Sequence, residues 1–153
     1  MTKPSPQQEI AALSSAKRGL IFLTANDWTL IADKAVRKQW KPGEVLIRKG
    51  QSNHGIYILL RGAASVEIPP QKKKVVIDAG EICGEISFLD ELPATITVTA
   101  HEELEAYFLD RATLQKLFEL FPHLGSRFYH SLASGLARRL RELIDSPEPA
   151  GKS

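Results

Sequence analysis

Hydrophobic and polar positions follow two different periods along the chain, and the period changes twice. In residues 7–23 and 24–36 apolar side chains recur every three to four residues, which predicts two amphipathic helices. From residue 43 to residue 109 the chain divides into short runs separated by Gly, Pro and charged residues, which predicts about eight strands. From Asp110 the helical period returns, and Pro122 divides the last apolar stripe into two helices.

This order of elements favours an α+β fold. We expect an antiparallel β-roll, like a jelly-roll barrel, flanked by N-terminal helices and a long C-terminal helix over residues 123–144. One domain is expected over residues 7–144, with disordered tails at residues 1–6 and 145–153. Thr24 and Asp27 form a predicted capping box at the second helix, and Asp110 is the predicted cap of the penultimate helix.

Composition limits the classes of function. The chain has 153 residues, a formal net charge of +2 and one cysteine, Cys83. A single cysteine excludes an intramolecular disulfide and favours a reducing, cytoplasmic location. The small net charge gives no support for a nucleic acid partner, and no apolar run approaches the ~20 residues that a membrane-spanning helix needs. The sequence contains no nucleophile elbow, phosphate loop, zinc-protease motif or paired histidine spacing, so we expect neither an enzyme nor a metal site.

The segment "GEICGEISFLDELPATITVTA" (residues 80–100) carries the candidate site. It contains two Gly-Glu pairs and then passes through a proline into a Thr-rich alternating strand. Glycine turns that lead into a helical turn can present backbone N–H groups to a phosphate. The segment therefore predicts a site for a small anion.

Four segments in this order resemble the cyclic nucleotide-binding domain family, which includes the catabolite activator protein and the regulatory subunit of protein kinase A. "KPGEVLIRKGQ" resembles the opening turn and first long strand, "YILLRGAASVEI" the hairpin, residues 80–100 the phosphate-binding cassette, and "LARRLREL" the final helix. The resemblance covers residues 23–144. It implies a regulatory, ligand-binding module for cAMP, cGMP or another small anion, with no resident cofactor. No helix-turn-helix follows the last helix in this sequence, so the resemblance implies a domain without a DNA-binding region.

The resemblance also assigns ligand-binding residues. In the family, the cassette glutamate accepts a hydrogen bond from the ribose, amides at the helix start hold the phosphate, and an arginine nine residues later pairs with the phosphate. Here Ala94 stands at the arginine position, so the resemblance implies weak or atypical binding, because an arginine–phosphate pair is charge-assisted and often bidentate. The residues carried over are Gly84, Glu85, Ile86, Ser87, Pro93, Ala94 and Thr95.

Alternative interpretations remain open at this stage. Glu85 is either the ribose ligand or a structural carboxylate that accepts from backbone N–H groups. The leucine stripe of the last helix is either a dimer seam or a face packed on its own β-roll. In some members that helix supplies two polar residues to the base, and those positions hold Leu143 and Ile144 here. The alternative function is therefore a degenerate domain that binds no cyclic nucleotide and acts in dimerisation or protein interaction.

Two clusters of basic residues are predicted to be exposed to solvent. Arg138, Arg139 and Arg141 are predicted to form a solvated face of the last helix, where they complement the helix dipole. The lysines of "PPQKKK" (residues 69–74) are predicted to lie in a solvated hairpin loop. Cys83, which lies between two glutamates, is predicted to be packed and chemically inert.

Overall fold

Two helices precede the strands in this computed structural model, which describes residues 4–69 and 72–145. α1 (Pro6–Ser14) begins after Ser5, whose hydroxyl accepts from the Gln8 amide, and α2 (Ala25–Lys34) begins at the predicted capping box. The prediction that the first helix continues to residue 23 is wrong. The Ser15 hydroxyl donates to the Ala11 carbonyl at 2.9 Å, and Gly19 has a φ of +89°, which no α-helix accommodates.

The strands between the second helix and residue 110 form two antiparallel sheets. They are β1 (Val36–Trp40), β2 (Val45–Ile47), β3 (Gly55–Arg61), β4 (Ala63–Ile68), β5 (Lys73–Asp78), β6 (Ile82–Cys83), β7 (Val98–Ala100) and β8 (Leu104–Asp110). Within the described residues the first sheet has the order β1-β8-β3-β6 and the second β2-β7-β4-β5. The predicted β-roll is thereby confirmed.

Strand boundaries differ from the prediction in three places. Val36, assigned above to the end of the second helix, opens β1, which pairs with β8. β2 covers only three residues of the longer strand expected there. Lys73 and Lys74 begin β5 and are exposed there, so they lie outside the expected loop, and residues 70 and 71 of that loop lie outside the described residues.

Three helices accompany and follow the strands. α3 (Glu85–Asp90) lies inside the cassette segment, α4 (Arg111–Leu120) follows β8, and α5 (Pro122–Asp145) ends the described chain. The predicted cap of α4 is confirmed, because an Asp110 carboxylate oxygen accepts from the Thr113 amide at 2.7 Å. No described helix is both long enough and apolar enough to cross a membrane.

The strand β3 lies between two hydrophobic cores. Ile56 and Ile58 pack on one side with α2, α4 and α5, while Tyr57 and Leu59 pack on the other side in the interior of the roll. Successive side chains of a strand point to opposite faces, so an apolar run here is buried on both sides. The helices therefore pack on the same sheet whose other face lines the roll.

The end of α5 leaves this packing. Phe128 and Leu132 are fully buried, but Leu140 is 57% and Leu143 65% exposed. Phe121, the residue that caps the C-terminus of α4, is 41% exposed. The last turns of α5 therefore present leucines to solvent.

Candidate ligand-binding cassette

The cassette begins where the short strand β6 delivers the chain to α3. Cys83 pairs with Tyr57 of β3, and Gly84 then takes a φ of +91° as the residue that caps α3. A Cβ atom at Gly84 would lie 2.6 Å from Asn53 Nδ2 and 2.8 Å from the Gly55 carbonyl oxygen. Glycine is therefore required at this turn by both conformation and space.

Glu85 is a buried carboxylate with a partner from a distant helix. Its side chain is 6% exposed, and one of its oxygens accepts a hydrogen bond from Nη1 of Arg139 on α5. The prediction that Arg139 belongs to a solvated face is wrong, since only 37% of its side chain is exposed. The prediction is also wrong for Arg138, which is 29% exposed and lies 3.8 Å from Glu142 on the same helix, whereas Arg141 is exposed as predicted.

The sequence did contain a signal for Arg139. The positions 128, 132, 135 and 139 recur at helical spacing, so Arg139 continues the face of α5 that Phe128 and Leu132 bury. A buried Glu85 needs a cation, and this face supplies one. The cassette segment by itself gives no indication of this cation, because Arg139 lies on a helix that is distant in sequence.

A second arginine supports the cassette from β8 and α4. Arg111 donates through Nη2 to the carbonyls of Ser87, at 3.1 Å, and Phe88. Its guanidinium also lies 4.7 Å from the centre of the Phe88 ring. These contacts hold α3 in place, and they use Nη2 of Arg111 as the donor to backbone carbonyls.

The remaining predicted residues are divided between surface and core. Ile86 is 44% exposed, whereas Ser87 is buried beneath the start of α3. Amides in the first turn of a helix have no intrahelical acceptor, and Gly84 offers no side-chain cap. Pro93 and Thr95 are exposed on the segment that leaves α3.

Ala94 is built into the roll. Its side chain is 8% exposed and belongs to the interior core, and its amide donates to the Gln51 carbonyl at 3.0 Å. Its own carbonyl accepts from the Gly50 amide at 2.8 Å. The position that the resemblance gives to an arginine is therefore a small apolar residue tied to the neighbouring loop.

Cys83 agrees with its prediction. The thiol is free and buried, and burial raises its pKa above the ordinary value, with the nearby Glu85 carboxylate adding to the shift. A thiol held protonated in this way is a poor nucleophile. In the described part of the chain, no cluster of His, Cys, Asp and Glu has a geometry that would hold a metal ion.

α5 is held to the rest of the domain by contacts at both ends of its inner face. Arg127 donates to both carboxylate oxygens of Asp27 on α2 at 2.6 and 2.9 Å, and this bonding lowers the pKa of Asp27. The Phe22 ring stacks on His130 with centroids 3.9 Å apart. Beyond them come the Arg139–Glu85 pair and a 3.7 Å contact between Arg18 and Glu142.

These features define a class of protein: a β-roll with a glycine-started cassette, closed by a long C-terminal helix. The sequence profile of the cyclic nucleotide-binding domain matches residues 37–120, more than half of the chain. The chain belongs to the cyclic nucleotide-binding domain family.

Similar proteins come from several kinds of organism. The chain is 34% identical over 125 residues to cyclic GMP-binding protein C of Dictyostelium discoideum, covering 79% of this chain and 5% of that protein. It is 25% identical over 134 residues to the HTH-type transcriptional regulator Cmr of Mycobacterium tuberculosis, covering 84% of this chain and 55% of the regulator. Both matches thus leave a large part of the relative uncovered.

The fold also matches a solved structure. A cyclic nucleotide-binding domain from Methylobacillus flagellatus superposes with a TM-score of 0.76 at 22% identity, covering 94% of this chain and 86% of that domain. At this identity the likeness concerns the fold alone.

Proposed function

We propose that the chain is a non-enzymatic regulatory module that binds a cyclic nucleotide, cAMP or cGMP, or a related small anion at residues 84–95. The observation that carries the proposal is the buried Glu85 carboxylate at the start of α3, at the position where the family's glutamate accepts from the ribose. The names of relatives that bind or depend on cGMP and cAMP support both nucleotides as probes. The reduced, buried Cys83 is consistent with a cytoplasmic setting.

The amides of Ile86 and Ser87 and the hydroxyl of Thr95 are the proposed phosphate contacts from the cassette itself. Ala94 supplies no charge, so we expect affinity about ten- to a hundredfold below that of a cassette with an arginine, because a hydrogen bond to a charged group contributes about 1.5–3 kcal/mol. Glu85 also has a structural role, since it accepts from Arg139. This differs from the structural alternative in the sequence analysis, which expected backbone N–H groups and not a guanidinium as the donors to Glu85.

Isothermal titration with cAMP, cGMP and 5′-AMP tests this proposal. We expect saturable binding of at least one cyclic nucleotide, weaker binding of 5′-AMP, and an approximately tenfold loss in Glu85→Gln, because the amide no longer offers a charged acceptor to the ribose. Glu119→Gln on α4 is the matched control, since Glu119 is an exposed glutamate outside the cassette. Absence of heat and of a thermal shift with both cyclic nucleotides at millimolar concentration would contradict the proposal.

The alternative function is a degenerate module for dimerisation or protein interaction through α5. It is favoured by Ala94 and by the exposed apolar end of α5, where Leu140, Leu143 and Ile144 are 57%, 65% and 72% exposed. Contiguous exposed apolar side chains often mark an interaction surface.

Ala94→Arg separates the two functions. If the wild type is inert and the folded variant binds cAMP, the alternative is supported, because only the cation was missing. Sedimentation equilibrium of wild type and Leu143→Lys tests the surface on α5. Self-association that is lost in Leu143→Lys supports it, and a monomeric wild type contradicts dimerisation.

A further inference from the structure

The cassette contains acidic residues but no cation. Between Gly84 and Thr95 the chain has three carboxylates, on Glu85, Asp90 and Glu91, and no Lys, Arg or His. A phosphate that enters this segment needs a positive charge from another element, because like charges repel strongly where solvent is excluded.

Two arginines from outside reach the cassette, and they bind different groups: Arg111 donates to backbone carbonyls of α3, whereas Arg139 pairs with the buried carboxylate of Glu85. Arg111 uses Nη2 for two carbonyls and lies over the Phe88 ring. Arg139 engages Glu85 through Nη1, while a guanidinium carries five N–H donors in a planar fork. With 37% of its side chain exposed, Arg139 can keep this bond and offer its other edge to an anion.

We propose that Arg139 is the phosphate-binding cation of this cassette, supplied by α5 in place of the arginine that Ala94 lacks. This inference rests on the proposed function of the cassette. With Arg139 in this role, the ligand is surrounded by one carboxylate and one guanidinium, as in the family. The guanidinium comes from the last helix and not from the cassette.

The position of the cation has a consequence for α5. A phosphate held between the cassette and Arg139 adds a contact that exists only when the end of α5 lies against the roll. A ligand shifts an equilibrium only through such differential contacts. Anion binding therefore favours the docked position of the segment after Leu136, whose outer residues Leu140 and Leu143 are exposed.

Titration of four proteins with cAMP and cGMP tests the role of the cation. We expect Arg139→Ala to bind about 10- to 100-fold more weakly than wild type, and Arg139→Lys to fall between them, because lysine keeps the charge but loses the planar fork. Arg141→Ala is the matched control: it removes one charge from an exposed position two residues further along α5 and should bind as wild type. Thermal unfolding of each variant checks that it is folded.

The double variant Ala94→Arg with Arg139→Ala distinguishes a phosphate contact from mere positioning of Glu85. A cassette arginine should restore the affinity lost in Arg139→Ala if the missing group is the phosphate cation. Hydrogen exchange of residues 136–145 should slow on ligand binding in the wild type, and should no longer respond in the double variant, because its cation is not on the helix.

Each outcome has a distinct meaning. If wild type binds and Arg139→Ala binds equally well, the role of Arg139 is overturned while the proposed function stands. If wild type binds neither nucleotide, both are overturned. If Arg139→Ala loses affinity and the folded double variant does not regain it, Arg139 only positions Glu85 and the inference fails. If the double variant does not fold, Arg139→Lys decides: affinity no better than that of Arg139→Ala also overturns the inference.

Discussion

The guanidinium of Arg37 joins three elements at the outer edge of the first sheet, and its removal tests what holds α1 in place. Arg37 on β1 donates to both carboxylate oxygens of Glu9 on α1, at 2.7 and 3.0 Å. It also lies 3.0 Å from Glu105 on β8, and the Glu9 bonds raise the pKa of Arg37 above its ordinary value. The change that removes the charge but retains most of the aliphatic stem is Arg37→Met.

The magnitude follows from which carboxylate loses its partner. Glu105 retains the Gln39 amide at 2.9 Å and Arg61 at 3.4 Å, so the main cost falls on Glu9, which is 8% exposed. Removing one partner of a buried pair costs about 3–5 kcal/mol. Because 39% of the Arg37 side chain is exposed, solvent screening reduces this to about 2–3 kcal/mol.

Urea unfolding of wild type, Arg37→Met and Lys38→Met measures the effect. We expect Arg37→Met to lower the unfolding free energy by about 2–3 kcal/mol, or Tm by roughly 4–12 °C for a domain of this size. Lys38 is the matched control on the same strand: it is exposed, and its Nζ lies over the Phe108 ring at 4.4 Å. Its loss should cost less than about 1 kcal/mol.

A double-mutant cycle with Glu9→Gln isolates the pair. The double variant should be less destabilised than the sum of the two single variants. Each single variant leaves one member of the pair without its partner, whereas the double variant removes both members. A free energy for Arg37→Met within about 0.5 kcal/mol of wild type, the range of ordinary surface substitutions, would refute the reasoning.

Two further predictions concern the turn before α3 and the anchor of α5. Gly84→Ala should destabilise the domain by more than the ~1–2 kcal/mol of a left-handed backbone, because the added Cβ also meets Asn53. The added Cβ of Gly135→Ala in α5 meets no atom within 4 Å, so this variant should be more stable than wild type. Equal effects of the two variants on thermal unfolding would contradict this expectation. Arg127 lowers the pKa of Asp27 below its ordinary value of 3.8, so Asp27 contributes stability that is present above pH 3.8 and lost as pH falls through the lowered pKa. The difference in unfolding free energy between wild type and Asp27→Asn should therefore be constant from neutral pH to about pH 5 and shrink below pH 3.8. A difference that grows on acidification would count against the pair.

Much of the fold could be predicted because its signals are local. The Thr24–Asp27 box and the Asp110 cap each join residues three positions apart, and both occur as predicted. Alternating apolar and polar residues indicated the strands, because side chains two residues apart lie on the same face of a pleated strand. Where a local signal was weak, as in the exposed strand β1 or after Ser14, the prediction failed.

Some features of the candidate site could likewise be predicted from a local segment of the sequence, and others could not. The sequence, through its resemblance to the family, indicated the candidate cassette, the glycine at its turn and Ala94 at the arginine position, since these depend on residue types within one short segment. Only the tertiary structure decided which charge meets Glu85, because Arg139 lies 54 residues away and reaches it through the packing of α5 on the roll. A local pattern can place a residue on a helix face, but the partner of that face depends on how the helices and sheets assemble around a common core.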